Sequence, residues 1–327
     1  QQLKEANLTA MKTMILYTPL MTLALNITTV VVVWSGGNMI VAGNMQVGDL
    51  TAFTNYIVQI MSSLTMLSIA FLNWARAIAS FRRVGEVLDE KIDLTDENAK
   101  HKDRAVCEGS VEFQNVSFRY YKNSPEWVIE NISFKLEAGK TLGIIGSTGS
   151  GKSTLVSMIP RLYDTDEGTV LVDGINVRDY GLKPLREGIG MVLQNNTLFS
   201  GSIIENLKWG DEHADEKAVR KAAQNAQAAG FIDSFKDGYR TRLEQSGNNV
   251  SGGQKQRLCI ARALLKCPKI LILDDSTSAV DTATERAIRE ALHSEYKDMT
   301  KIIIAQRIRS VMDADEILVL DNGKTAG

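Results

Sequence analysis

Three cysteines are all that this 327-residue chain carries, and no two of them stand at metal-binding spacing. Cys107, Cys259 and Cys267 are scattered, which excludes a cysteine metal site. They read instead as small buried or half-buried side chains in a reducing compartment. Excess charge is missing as well. The net charge is -2, so bulk charge does not point to a nucleic-acid partner. The most informative absence is local. Residues 13–48 and 50–75 contain no Asp, Glu, Lys or Arg. Each run exceeds the roughly 20 apolar residues that a membrane helix needs. Neither has the basic n-region or cleavage site of a secretory signal peptide, and both are too long to be one.

Thr13–Trp34 is mostly Met, Leu, Ile, Val, Ala and Thr, interrupted by Pro19 and Asn26. The pattern predicts two membrane helices, about 10–34 and 49–87, in a membrane fragment covering 1–87. Pro19 predicts a kink in the first. The loop Ser35–Gly48 has no Lys or Arg, whereas Lys4, Lys12, Arg76, Arg82 and Arg83 flank the helices. The positive-inside bias therefore places both outer flanks, and everything after Arg83, in the cytoplasm. On the second helix Asn55, Gln59, Ser62, Met66 and Asn73 recur near one face. Seven of the 11 Met residues lie at or before Met66. Such a face suits a solute path or plain helix–helix packing, and the sequence leaves both open. A charged linker follows, 88–107.

Beyond it the chain changes character. Thr141–Ile145 is a short apolar run, followed by Gly146, Ser147, Thr148, Gly149, Ser150, Gly151, Lys152, Ser153 and Thr154, and then by Leu155–Ile159 as a predicted helix start. Strand, glycine turn and helix in that order form a phosphate-binding P-loop. The turn aims backbone amides and the helix dipole at one point. Lys152 supplies a charge for the β- and γ-phosphates, and the Ser153 hydroxyl is placed for Mg²⁺. Ile270–Leu273 reads as a buried parallel strand ending in Asp274 and Asp275. Asp274 is thus expected opposite Ser153, holding Mg²⁺. Lys301–Ala305 and Glu316–Leu320 read as further strands, and Gln306 directly after the first can reach a γ-phosphate. Val111–Phe118 and Val128–Leu136 alternate as half-buried strands, with Tyr120 between them. Tyr120 suits purine stacking, although strand aromatics ordinarily serve the core. Ser251, Gly252, Gly253 and Gln254 form a second glycine turn before a basic helix. One nucleotide cannot readily use two such turns of one monomer, so this one points to a nucleotide on another subunit.

The P-loop, the Val250–Gln254 turn and the Asp-ended strand together resemble an ATP-binding-cassette domain. With two apolar helices before it, the chain resembles one half of an ABC exporter. The resemblance implies an α/β P-loop fold with a RecA-like core, an antiparallel β subdomain and a helical subdomain (about 196–264) within 108–327. It implies two all-α transmembrane helices before that domain, matching the fifth and sixth of an exporter half. The chain is then expected to be a piece of a longer half-transporter in the inner (plasma) membrane, binding ATP and Mg²⁺. Within that resemblance Tyr120 matches the adenine-stacking aromatic. Gln194 matches the glutamine that contacts Mg²⁺ and the attacking water. Asp281, in Ser278–Asp281, matches the loop that crosses to the partner subunit.

Three departures stand out. The family usually has Glu where this chain has Asp275, and His where it has Gln306. Leu243–Gly247 also differs from the usual run before the signature turn. Asp is one methylene shorter than Glu, and a general base must come within about 2.6–3.2 Å of its proton or act through water. Gln donates a hydrogen bond but cannot become cationic as His can. The expectation is a heterodimer with a second ABC half-transporter. This chain then supplies a slow, degenerate ATP site and lends its signature turn to the partner's competent one. A homodimeric exporter, or a mainly regulatory ATP-binding subunit, is the alternative. The transported solute is expected to be small and amphipathic or hydrophobic.

Overall fold

The computed structural model describes residues 2–326, without the side chains of 2–14, 17, 18 and 72. Lys4 and Lys12, two of the predicted flanking charges, lie outside the described side chains. The chain divides into two compact units, Gln1–Lys91 and Ile92–Gly327.

The first unit holds two helices, α1 (Gln2–Val41) and α2 (Val47–Leu88). Both are long and apolar enough to cross a membrane, over Pro19–Val41 and Val47–Leu88. α1 stays one helix across Pro19. The 42 residues of α2 make a rod of about 63 Å, twice the roughly 30 Å of a hydrocarbon core. Arg76, Arg82 and Arg83 therefore ride on the same helix beyond its uncharged part. The half-buried positions in the uncharged part of α2 are Leu50, Thr54, Ile57, Met61, Thr65 and Ser68, spaced by three and four. Those of α1 include Leu25, Thr29 and Val32, with Gly36 fully buried. With only two helices in the unit, these stripes shield each other. The threonine hydroxyls on them bond back within their own helices, Thr29 to Leu25 O at 2.8 Å and Thr65 to Met61 O at 2.9 Å. Asn55, Gln59, Ser62, Met66 and Asn73 are exposed and lie off this seam. Packing between α1 and α2 therefore does not account for that polar face.

The second unit opens on a charged stretch that is docked rather than free. Asp96 Oδ2 accepts from the Leu182 amide at 3.1 Å, and the His101 amide donates to Asp179 O at 2.7 Å. Lys100 also pairs with Asp179, at 3.3 Å. Charge density alone predicts a solvated linker; a specific donor and specific acceptors on the folded unit hold part of it down.

From there the elements are β1 (Val111–Phe118), β2 (Ile129–Leu136), β3 (Thr141–Gly146), α3 (Lys152–Ser157), β4 (Glu167–Val172), β5 (Ile175–Asn176), α4 (Leu182–Glu187) and β6 (Ile189–Val192). Next come β7 (Gly201–Ser202), α5 (Ile203–Lys208), α6 (Glu216–Asn225), α7 (Ala229–Ser234), β8 (Arg242–Leu243) and α8 (Gly252–Leu265). The last are β9 (Ile270–Asp274), α9 (Thr282–Glu295), β10 (Thr300–Ile304), β11 (Glu316–Asp321) and β12 (Lys324–Thr325). An antiparallel sheet has the order β2-β1-β4-β5, and a larger sheet the order β12-β11-β3-β10-β9-β6. The larger one is parallel except where β12 turns back on β11. The helices α5–α8 form a separate layer between β6 and β9 in sequence. This is the α/β architecture expected from the sequence.

The central strand explains its own composition. Ile270 and Ile272 join the hydrophobic cluster shared with β1, β2 and α3, while Leu271 and Leu273 join the one beneath α5–α8. Both faces of β9 are buried, so its side chains are apolar without alternation. The cysteines differ from expectation. Cys259 is buried, but Cys107 and Cys267 are exposed. Cys267 sits in the turn after α8 at φ 51°, and Cys107 lies at the end of the docked stretch.

Asp173 anchors that end. Its carboxylate accepts the amides of Cys107, Glu108, Gly109 and Ser110 at 2.7, 3.1, 2.7 and 3.0 Å. Asp173→Ala orphans four amides at once, those of Gly109 and Ser110 part-buried, and should lower unfolding stability by about 2 kcal/mol in urea denaturation. Asp173→Asn, which keeps one acceptor oxygen, should cost less.

Candidate nucleotide-binding site

β3 runs straight into the glycine turn, and α3 begins at Lys152, three residues earlier than the apolar run implied. Gly151 caps α3 at φ 93°, and a Cβ there would meet Val128 O at 2.9 Å. Both facts require glycine. No side chain caps α3. Its first amides are thus available to an anion, as a P-loop demands. The Lys152 ammonium folds back over its own turn. It donates to Gly146 O at 2.9 Å, Ser147 O at 2.7 Å and Ser150 Oγ at 3.4 Å. Burial pushes the Lys152 pKa down, opposed by Asp274 and Asp275. A phosphate here meets a cation already held at the turn's mouth.

Asp274, at the end of β9, is buried, and the Ser153 hydroxyl beside it holds its carboxyl pKa down against that burial. Asp275 follows at φ 47°, a left-handed conformation that Asp tolerates better than most residues. Its Oδ2 accepts from Gln306 Nε2 at 2.9 Å and from Gln194 Nε2 at 3.4 Å. Burial raises both carboxyl pKa values; hydrogen bonds from Gln306 and Gln194 pull Asp275 back in part, as one from Ser153 does for Asp274. Tyr120 is half exposed, its hydroxyl 2.8 Å from Thr154 Oγ1. Phe118 and Tyr163 brace its ring edge-on, at 5.1 and 5.2 Å between centroids.

A cleft of about 320 Å³ gathers Tyr120, the glycine turn, Gln194, both carboxylates and Gln306. A hydroxyl and two carboxylates make a hard-oxygen donor set, which fits Mg²⁺. Six of the sequence-predicted elements thus meet in one place: Tyr120, the P-loop, Gln194, Asp274, Asp275 and Gln306. Ser251, Gly252, Gly253 and Gln254 do not line this cleft. They start α8, where Ser251 Oγ accepts the Gln254 amide at 3.2 Å and Gln254 Oε1 accepts the Ser251 amide at 2.9 Å. Asp281 is also elsewhere, capping α9 through the Thr284 amide at 3.0 Å.

Comparison with known proteins bears on this geometry. Residues 129–278 match the family model described as ABC transporter. The chain is similar along 99% of its length to a solved bacterial Atm1-family ABC exporter with ATP bound, at 32% identity and a TM-score of 0.81, covering 56% of that chain. The fold is an ATP-binding cassette. Two Bacillus subtilis proteins are also similar. The uncharacterized ABC transporter ATP-binding protein YfiB is 43% identical over 94% of this chain and 52% of its own length. The putative multidrug export ATP-binding/permease protein YgaD is 42% identical over 90% of this chain and 50% of its own. The chain thus spans about half the length of these relatives.

Sequence reasoning did not find every residue of the cassette's cleft. Val128 and Ile304 line it. Val128 precedes β2, and its carbonyl abuts the glycine cap of α3. Tyr163 bridges to Tyr120 from a loop with no recognisable pattern.

Lys152→Met should abolish detectable binding of a fluorescent ATP analogue. Tyr120→Ala should weaken it about tenfold, from lost stacking. The raised carboxyl of Asp275 contributes stability that is complete below the ordinary carboxylate range and is lost as pH rises through its raised value. Asp275→Asn therefore gains on the parent as pH rises from about 4 to about 7. Urea midpoints of the two nucleotide-free proteins check this.

Proposed function

We propose that this chain is the nucleotide-binding end, with two transmembrane helices, of one subunit of a heterodimeric ABC exporter. ATP hydrolysis drives a small amphipathic or hydrophobic solute outward through the plasma membrane, with the cassette in the cytoplasm. The name of YgaD, a putative multidrug exporter, supports the solute class. The exporter-like neighbour and the two membrane-length helices support the direction and the location.

The observation that carries the heterodimer reading is Asp275. It stands where a general base belongs, yet its carboxylate is engaged by Gln306 and Gln194 at 2.9 and 3.4 Å. An aspartate is short for that task, and neither amide partner can take up a proton. The phosphate cradle around Lys152 is intact by contrast. Lys152 and the amides of α3 bind and orient the phosphates, Tyr120 stacks the base, and Ser153 with Asp274 holds the metal. Mg²⁺, when bound, neutralises charge on the β- and γ-phosphates. This chain's own site then holds ATP and turns it over slowly. Ser251–Gln254 serves the faster site, built on the partner's P-loop.

Asp275→Glu combined with Gln306→His should raise single-site turnover of the full-length protein at least tenfold, with thermal melting confirming that Glu is accepted at φ 47°. Unchanged turnover would sink the idea that these positions limit the rate. Purification of the full-length protein from membranes should bring down a second ABC half carrying Glu and His at the matching positions.

A further inference from the structure

One buried polar side chain links the two nucleotide elements of this chain, and nothing in the P-loop cleft uses it. Gln256 lies on α8, one turn inside the signature, and is only 6% exposed. Its Oε1 accepts the Ala279 amide at 3.0 Å, and its Nε2 donates to Ser278 Oγ at 3.3 Å. Ser278 Oγ in turn donates to Asp275 O at 2.9 Å. Backbone packing reinforces the link, because a Cβ on Gly253 would lie 2.8 Å from Ala279 O. The signature turn and the loop 275–281 are therefore fastened together, with Asp275 at the other end of the fastening.

We propose that Gln256 is a positioning residue that makes the Ser251–Gln254 turn and Asp275 move as one piece. A nucleotide held under that turn on the partner subunit thereby sets the Asp275 carboxylate in this chain's own cleft, and the reverse coupling is equal in binding free energy. The inference rests on the dimeric reading above. The Gln256 amide is buried with both its functions engaged, so two direct hydrogen bonds carry a displacement of α8 to the loop 275–281.

The test uses the full-length protein copurified with its partner in lipid nanodiscs, with Mg–ATP as the probe. Gln256→Ala should lower kcat about tenfold and leave KM for ATP within about twofold. Ser278→Ala, which removes an exposed hydroxyl and leaves α8 untouched, should act in the same direction. The double variant should lose no more than the worse single one, because the two residues form one link. Gln256→Glu keeps the acceptor for the Ala279 amide but loses the donor to Ser278 Oγ, so its kcat should fall with that of Ser278→Ala. Parental kcat in both single variants, or losses that multiply independently, overturns the proposal. So does a fall in kcat matched by an equal rise in KM and a lowered melting temperature, which marks a merely structural role. If Gln256→Ala does not fold, Ser278→Ala and Gln256→Glu still decide. A parent complex that binds no Mg–ATP would instead sink the transport reading, and this inference with it.

Discussion

Parallel register among β6, β9 and β10 is the constraint on which the cleft depends. Val192 pairs with Leu273, and Ile304 with Asp274. Each strand ends at the same level, so the residues just beyond them, Gln194, Asp275 and Gln306, emerge side by side. A slip of one residue would turn every side chain of β9 to the opposite face. The two buried clusters on either side of β9 prevent such a slip, since both faces already hold apolar side chains. Packing far from the phosphates thus fixes hydrogen bonds of 2.9 and 3.4 Å at the cleft's mouth.

Within that frame the cleft has two ends of different character. At the P-loop, cation, hydroxyl and uncapped amides are all arranged for an anion, and Lys152 already lies over the turn. At the strand ends, two neighbouring carboxyls are held at raised pKa values by burial. A buried carboxylate gains most from a bound cation, so metal and phosphate reinforce one another across the cleft. Asp275 differs from Asp274 because its hydrogen-bonding partners are neutral amides. That arrangement stabilises the carboxylate where it stands and provides no route for a proton.

The sequence made some of this legible and hid the rest, for physical reasons. The glycine turn was readable because its backbone conformations exclude most side chains, so chemistry and sequence coincide. β9 was readable because burial on two faces removes polar residues altogether. The contact of Gln306 with Asp275 was half readable: each residue directly follows an apolar strand, but only the sheet order makes those strands neighbours. Gln256 was not readable. It stands in a helix of mixed character, and its partners lie 22 and 23 residues away in a loop. The docked stretch from Asp96 to His101 failed for a related reason. Charge density reports solvation on average, while Asp179 and the Leu182 amide are specific partners that no local pattern announces. The exposed cysteines follow the same logic, since a residue type's usual burial says nothing about a turn or a chain end.

At Ser251–Gln254 a structural role leaves room for a binding role. The turn caps α8 with reciprocal hydrogen bonds, which alone would explain Ser and Gln at these positions. Yet in the cap the Ser251 hydroxyl is only an acceptor, and its own proton is not consumed. That proton, with the amides of the two glycines, remains able to meet an anion approaching along the axis of α8. The cap therefore pre-orients the donor set without using it up. Gly253 must stay small for a different reason, the approach of Ala279 O. Helix capping, loop packing and a set of unspent donors thus converge on four consecutive residues, and the packing against Ala279 joins them to the strand end that carries Asp275.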